Sequence, residues 1–381
     1  MEVLRGTALH RRLHLYSIRF GGKGGRDMSG DETLGTRLRN RGISRRAFLK
    51  YCTGMASLLA LPPTVAPLMA EELAKARRAS VIWLSFQECT GCTESLTRSH
   101  APSLENLIFD FISLDYHHTL QAASGEAAEQ ARAEAMKANH GKYLLVVDGA
   151  IPLKDGGVYS TIAGVTNLAM LQEVAAGAAA VIAIGTCAAF GGLPAARPNP
   201  TSAVAVNEII TGKPVVNVPG CPPMPTVMMG VFTHFLVFGR LPELDRLGRP
   251  LAFYGDSIHD RCYRRPFYDQ GKFAKSFDDE GARAGWCLYE LGCKGPITHN
   301  ACATIKWNEG TSFPIQSGHP CLGCSEPDFW DKGGFYNPLA SGQIPSAGTV
   351  AVAAAAGVAV GAVSALTARA RQAKAQEEGQ S

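Results

Sequence analysis

The sequence has little charge of either sign to spare. Charged residues make up 18%, the formal net charge is +4, and much of the positive excess lies in the first fifty residues. Composition therefore gives nucleic-acid binding no support. No internal repeat is evident. The chain is also too apolar to be disordered: 46% of its residues are hydrophobic, which suits a globular or membrane-associated protein. Even cysteine spacing is absent. The 11 cysteines are too irregularly placed for a small disulfide scaffold and too many for a typical cytosolic enzyme.

A length of 381 residues is enough for two domains with sizeable cores. Residues 1–70 read as a targeting region. "SRRAFLK", Ser44 to Lys50, places Arg45 and Arg46 before the apolar stretch "YCTGMASLLALPPTVAPLMA", a basic segment followed by a hydrophobic one. Arg45-Arg46 followed by Phe48-Leu49 resembles a twin-arginine signal, which carries proteins folded and often loaded with cofactor. Pro62, Pro63 and Pro67 prevent one long helix here. Cleavage is expected near Ala70, and Met28 is expected to be the true start. At the other end, "GTVAVAAAAGVAVGAVSALT", residues 348–367, carries no charge. It is long enough to span a bilayer, although rich in Ala and Gly, and a buried or interfacial helix is its alternative. Arg369, Arg371 and Lys374 follow it and place the tail 368–381 on the cytoplasmic side.

Between these ends the texture changes once. From about 80 to 240, short apolar runs alternate with alanine-rich or amphipathic stretches. The runs are "SVIWLSF" (80–86), "KYLLVVDG" (142–149), "AAVIAIG" (179–185) and "KPVVNVPG" (213–220). This pattern predicts a doubly wound α/β domain with a mostly parallel sheet, in which ligands gather beyond the carboxyl ends of the strands. From 241 to 340, Gly, Pro, Cys, Trp and charge increase and periodicity fades. That predicts a loop-rich domain held together by something other than a large core, such as bound metal.

The cysteines follow this division. Cys52 lies in the signal and is expected to be lost with it, leaving ten. Cys89 and Cys92 ("ECTGCTES"), Cys187 and Cys221 each sit just past a predicted strand. Four thiols in such positions are hard to explain as packing. A second group is His259, Cys262, Cys287 and Cys293. A third is Cys302, Cys321 and Cys324. Thiolates select zinc or iron–sulfur clusters over harder metals. Zinc suits the first two groups; in the third it needs His299 or His319 to complete the set, whereas a three-thiolate 3Fe–4S cluster leaves no cysteine over. Disulfides can also pair ten cysteines.

Six segments then become recognisable: "ECTGCTESLTR", "GTCAAFGGLPAA", "VPGCPPMP", "CYRRPFYDQGKF", "GWCLYELGCKGP" and "FPIQSGHPCLGCSEPDFWD". Together, and in this order over about 80–340, they resemble the small subunit of nickel–iron hydrogenases, and the signal type and the C-terminal apolar run fit the membrane-bound uptake branch. The resemblance implies a flavodoxin-like domain, an irregular cluster-binding domain and one C-terminal transmembrane helix. It implies two 4Fe–4S clusters and one 3Fe–4S cluster. The proximal 4Fe–4S cluster is expected on Cys89, Cys92, Cys187 and Cys221, the medial 3Fe–4S cluster on Cys302, Cys321 and Cys324, and the distal 4Fe–4S cluster on His259, Cys262, Cys287 and Cys293. Pro314 stands where a fourth medial cysteine would be needed.

The implied partner is a large subunit holding the nickel–iron centre that interconverts dihydrogen with protons and electrons. This chain would relay the electrons, by family default to a membrane cytochrome b and quinone, or to an iron–sulfur partner protein. The implied location is the periplasmic side of the cytoplasmic membrane. Glu88 and Thr90 fall near the expected subunit interface as candidate helpers of proton exit. Gly91 and Gly192 occupy positions where oxygen-tolerant relatives carry extra cysteines, so the standard oxygen-sensitive type is expected. Asp148 replaces a customary Glu and keeps the carboxylate. The rival readings are a soluble sensory or electron-bifurcating relative and a zinc- or disulfide-stabilised exported binding protein.

Overall fold

The computed structural model describes residues 32–332 and 335–339. The lead before Met28, the apolar run 348–367 and the tail 368–381 lie outside the described residues. Within those residues no helix is long and apolar enough to cross a membrane.

Five strands form one parallel sheet: β1 (Ala79–Ser85), β2 (Ile112–Tyr116), β3 (Leu144–Asp148), β4 (Ala180–Ile184) and β5 (Val215–Val218), in the spatial order β2-β1-β3-β4-β5. This is the flavodoxin-like doubly wound order. β1, β3, β4 and β5 are the apolar runs read from the sequence. β2 is not one of them. Its sequence, "ISLDY", leaves its three central residues half-buried at the sheet edge, so it lacks the continuous apolar run that marks a strand covered on both faces.

The register carries the site. Ser85 of β1 stands opposite Asp148 of β3, and Asp148 stands opposite Ile184 of β4. These strands therefore end level, and the loops that leave them share one rim. Along each strand the side chains alternate between two cores. Val81, Trp83, Leu144, Val146, Ile182 and Val216 face one side. Ile82, Leu84, Leu145, Val147, Val181 and Ala183 face the other.

The helices that matter below are α1 (Leu34–Asn40), α2 (Arg45–Leu58), α3 (Ala66–Lys75), α4 (Gly91–Thr97), α5 (Glu126–Ala138), α6 (Asn167–Ala176) and α7 (Pro225–Phe238). Helices α5 and α6 cover the second face with Ala128, Met170, Leu171 and Val174. Helices α4 and α7 cover the first, with Leu96, Val227, Met228, Val231 and Phe232. Helix α7 starts with Pro225 in its first turn and stops at Gly239, whose φ of 60° ends the helix in the left-handed region. It is apolar on nearly every side and so needs cover away from the sheet as well.

Part of that cover comes from the N-terminal segment. Helix α2 starts at the arginine pair, capped by the Ser44 side chain accepting from the Ala47 N–H at 3.2 Å. Cys52, Met55, Met69 and Leu73 from α2 and α3 join the same core as α7. The Tyr51 hydroxyl meets the Thr233 hydroxyl at 3.2 Å, and Arg41 pairs with the buried Asp110 at 3.0 Å. Arg45 and Arg46 stay exposed. The chain between α2 and α3 is interrupted at the prolines, as expected: a 3₁₀ turn spans Pro63–Val65.

After α7, regular structure gives way to one-turn helices from Leu251 to Ala303 around a small core of Ile258, Ala274, Leu288, Leu291, Phe313 and Ile315. The described residues up to Asn337 belong to one compact unit.

Candidate metal centres

Cys89 and Cys92 leave the end of β1 through a loop in which Thr90 adopts φ 66°. The Thr90 N–H donates to the Glu88 carboxylate, which holds the turn. Cys92 sits in the first turn of α4, its Sγ 3.8 Å from the carbonyl of Ile184 at the end of β4. Gly185 follows, at φ 86°, and a Cβ there would overlap Cys92 Sγ; only glycine allows this approach. Cys187 lies in the short helix Gly185–Phe190 and Cys221 follows β5. Thr186 ties these loops together. Its N–H donates to the Gly220 carbonyl at 3.0 Å, and its hydroxyl accepts from the Gly220 N–H at 2.9 Å. Burial raises the Cys92 thiol well above its ordinary value, and Asp148, Cys187, Cys221 and Cys89 lie near enough to add to that in turn, so the four thiols share one neighbourhood. Cys89 and Cys221 are exposed, so the group opens outward at the rim.

The second half of the chain begins its sites against this rim. The Thr186 hydroxyl donates to the Cys324 carbonyl, and the Cys324 charge acts on Cys221. Cys302, in the turn Ala301–Ala303, and Cys321 are coupled to Cys324 in turn. The Lys294 N–H donates to the Cys321 carbonyl at 2.8 Å, and Cys293 acts on Cys321. Cys287 is coupled to Cys293 and Cys262. The three sequence groups are thus adjacent in space, joined first at Cys221 and Cys324, then at Cys321 and Cys293. His259 lies in a one-turn helix that leads to Cys262. Its ring meets the Tyr268 edge at 4.6 Å. Burial, with the Arg265 charge second, lowers its pKa, which favours the neutral imidazole a metal ligand requires.

The chemistry of the donors fits clusters of iron and sulfide. All 11 cysteines are free. Among the described residues no three Cys, His, Asp or Glu side chains converge at single-ion distances. Thiols around a multi-iron cluster stand further apart, because iron and sulfide fill the space between them. Burial pushes Cys187 up to about 11, and Cys287 and Cys302 up to about 12. Such thiols are neutral until a metal displaces the proton. Of the two histidines that could complete a zinc site in the third group, His319 is engaged and His299 Nδ1 has no hydrogen-bond partner. His319 uses both ring nitrogens, to the Pro320 carbonyl at 2.8 Å and the Tyr336 hydroxyl at 3.2 Å. His299 Nδ1 lies 3.6 Å from Glu326. Pro314 is exposed between the buried Phe313 and Ile315.

Three further positions flank the first group. A Cβ on Gly91 would lie 3.2 Å from Cys89 Sγ, and one on Gly192 would lie 2.7 Å from Cys187 Sγ. Asp148, at the end of β3, is fully buried, and neither carboxylate oxygen has a hydrogen-bond partner. Trp83 and Ser85 approach it and lower its pKa in part, without closing to full hydrogen bonds. Burial dominates, with the Glu88 charge second, and raises Asp148 to about 7. In the sequence Asp148 reads only as a conservative exchange. Gly185 and Thr186 go unmarked there, although both stand directly before Cys187 in one of the recognisable segments.

Comparison with known proteins adds to this geometry. A family model for the NiFe/NiFeSe hydrogenase small subunit, describing its C-terminal part, matches residues 254–337, and one described as NADH ubiquinone oxidoreductase, 20 Kd subunit, matches 89–235. An uptake hydrogenase small subunit from Azotobacter vinelandii is 51% identical over 349 residues, covering 90% of this chain and 97% of that one. This chain belongs to the nickel–iron hydrogenase small subunits. The hydrogenase-1 small chain of Escherichia coli K12 is 49% identical over 322 residues, with 84% and 86% of the two chains covered. A solved [NiFeSe]-hydrogenase chain from Desulfomicrobium baculatum superposes with a TM-score of 0.65 at 38% identity, covering 69% of this chain and all of that one. As a hydrogenase small subunit, the chain pairs with a large subunit that carries the active site, binds iron–sulfur clusters and transfers electrons.

Proposed function

We propose that this chain relays electrons between the nickel–iron site of its large subunit and a membrane acceptor, through three clusters in line. Cys89, Cys92, Cys187 and Cys221 hold a proximal 4Fe–4S cluster at the open rim. Cys302, Cys321 and Cys324 hold a medial 3Fe–4S cluster. His259, Cys262, Cys287 and Cys293 hold a distal 4Fe–4S cluster. Bound clusters of this kind supply one-electron carriers whose potentials depend on ligand charge and hydrogen bonding. The observation that carries this reading is the spatial continuity of the three donor groups: Thr186 hydrogen-bonds both Gly220, which precedes Cys221, and Cys324, and the Lys294 N–H, next to Cys293, donates to the Cys321 carbonyl. The protein chain supplies the spacing and the order of the stations.

The arginine pair and the C-terminal apolar run support export by the twin-arginine route and a periplasmic, membrane-anchored location, with cytochrome b and quinone as the acceptor. Gly91 and Gly192 support the standard oxygen-sensitive type. Glu88 and Thr90, at the open rim, are the candidate helpers of proton exit. Electron paramagnetic resonance with iron counting on the purified heterodimer tests the relay. The expected result is an oxidised three-iron signal, with about eleven irons assigned to this chain after the large subunit's iron is subtracted. Zinc in place of iron, or oxidised thiols without metal, removes the relay while leaving the fold intact.

A further inference from the structure

Five cationic side chains are buried among the described residues: Arg37, Arg132, Arg249, Arg264 and Lys294. Three of them have carboxylates. Arg37 faces Glu32 at 3.9 Å. Arg132 pairs with Glu129 at 3.0 Å and with Glu173 at 3.1 Å. Arg249 pairs with Asp245 at 2.8 Å and with Glu326 at 2.9 Å. Arg264 and Lys294, which are 5% and 6% exposed, have none. Arg264 donates to the Tyr263 hydroxyl and the Trp286 carbonyl, each at 2.7 Å. Lys294 donates from Nζ to the Asn337 carbonyl. All of these acceptors are neutral.

A buried cation without a counter-charge is costly, and an arginine cannot escape by losing its proton. Arg264 stands two residues after Cys262, and its guanidinium holds the carbonyl of Trp286, the residue before Cys287, at 2.7 Å. Lys294 directly follows Cys293. Burial disfavours the three thiolates, and these charges favour them. These are the three cysteines assigned above to the distal group. As neutral thiols they offer no compensation. Each thiolate formed on metal binding adds one negative charge, and each electron received adds another.

We propose that Arg264 and Lys294 are the counter-charges of the distal cluster, fixing its thiolates and raising its reduction potential. This rests on the three-cluster reading. Both are positioning residues, since they act on the cluster through charge. A station at the exit of a relay is useful only if it accepts an electron readily, and two fixed cations favour its reduced form. The loop between Cys321 and Cys324 packs on the same side chain: a Cβ on Gly323 would lie 3.4 Å from Lys294 Cβ.

The test is a redox titration followed by electron paramagnetic resonance on the heterodimer of the full chain with its large subunit, iron being counted in the same samples. Arg264→Gln and Lys294→Met remove charge; Arg264→Lys and Lys294→Arg keep it. In each neutral variant the reduced-to-oxidised ratio of the distal cluster, at the wild-type midpoint, is expected to fall about tenfold, which is a shift of about 59 mV for a one-electron couple. The charge-keeping variants are expected to titrate as wild type. Loss of distal iron in the neutral variants alone also supports the proposal, because it shows that charge holds the site. Neutral variants with full iron and an unchanged midpoint overturn it. So does loss of iron in both kinds of variant, which would mean that shape is what matters. A wild-type heterodimer with no distal-cluster signal defeats the three-cluster reading instead, and iron counting tells these cases apart.

Discussion

The sheet half and the cysteine-rich half of this chain are stabilised by different means. In the sheet half, β3 and β4 are buried along their whole length, and two large apolar cores lie on either side. The half beyond α7 has one small core and six cysteines, Cys262 to Cys324, none of them in a disulfide. A chain can place metal ligands on loops when another part of the molecule supplies the rigid edge. Here the rim of the sheet does so, and Thr186 ties it to Cys324. The loop-rich half depends in turn on what its side chains bind.

The largest expected effect comes from the first station. Cys92→Ala should abolish hydrogen oxidation by the heterodimer, whereas His259→Ala should slow electron delivery to an acceptor and spare hydrogen-isotope exchange at the large subunit. Both activities are measured on the same preparation, and equal loss of the two in His259→Ala argues against a distal role for that residue. Removing iron sharpens the comparison between the halves. By hydrogen exchange, the segment from about 256 to 326 should lose amide protection while β1, β3, β4 and β5 keep theirs, since metal binding contributes directly to the folding of a metal-held segment. Uniform loss across the chain would sink the contrast.

The joint between the halves should be sensitive to volume. Gly230 of α7 faces the buried Phe253 so closely that a Cβ would overlap its ring. Gly230→Ala is expected to cost about 1–3 kcal/mol through forced repacking, read as a lower midpoint in a denaturant titration. No change would show that the joint yields freely.

A pH dependence is expected in the sheet half, spread over a wide window rather than set by one substitution. His117 is buried against Trp83, with ring centroids 5.1 Å apart. Its Nδ1 accepts from the Thr119 N–H at 3.1 Å. Burial, with His118 second, lowers it from 6.5 to about 4. Between those values the unfolded chain binds more protons than the folded one, so stability should fall as pH drops from about 6.5 to about 4 and level off below. The total is roughly 3 kcal/mol. His117→Gln should flatten that slope in denaturant titrations run across the window, and an unchanged slope would assign it to other groups.

The sequence by itself determined β1, β3, β4 and the edge strand β5, because a strand covered on both faces must be apolar along its length. It also determined that four cysteines leave strand ends, since strand direction and chain order are local facts. It marked the arginine pair, the proline interruption and the three cysteine groups. Tertiary structure alone decided the rest. β2 became a strand by pairing with β1 at Ala79 opposite Ile112, with no apolar run of its own. Asp148 became a buried carboxylate without a hydrogen-bond partner because its neighbours come from other strands. Cys221 met Cys324, and Cys321 met Cys293, across separations in sequence that no spacing rule encodes. Arg264 and Lys294 look in the sequence like any basic residues beside cysteines; only burial without a carboxylate makes them notable. Apolar pattern is written residue by residue along a chain, whereas electrostatic environment is set by whatever the fold brings within reach.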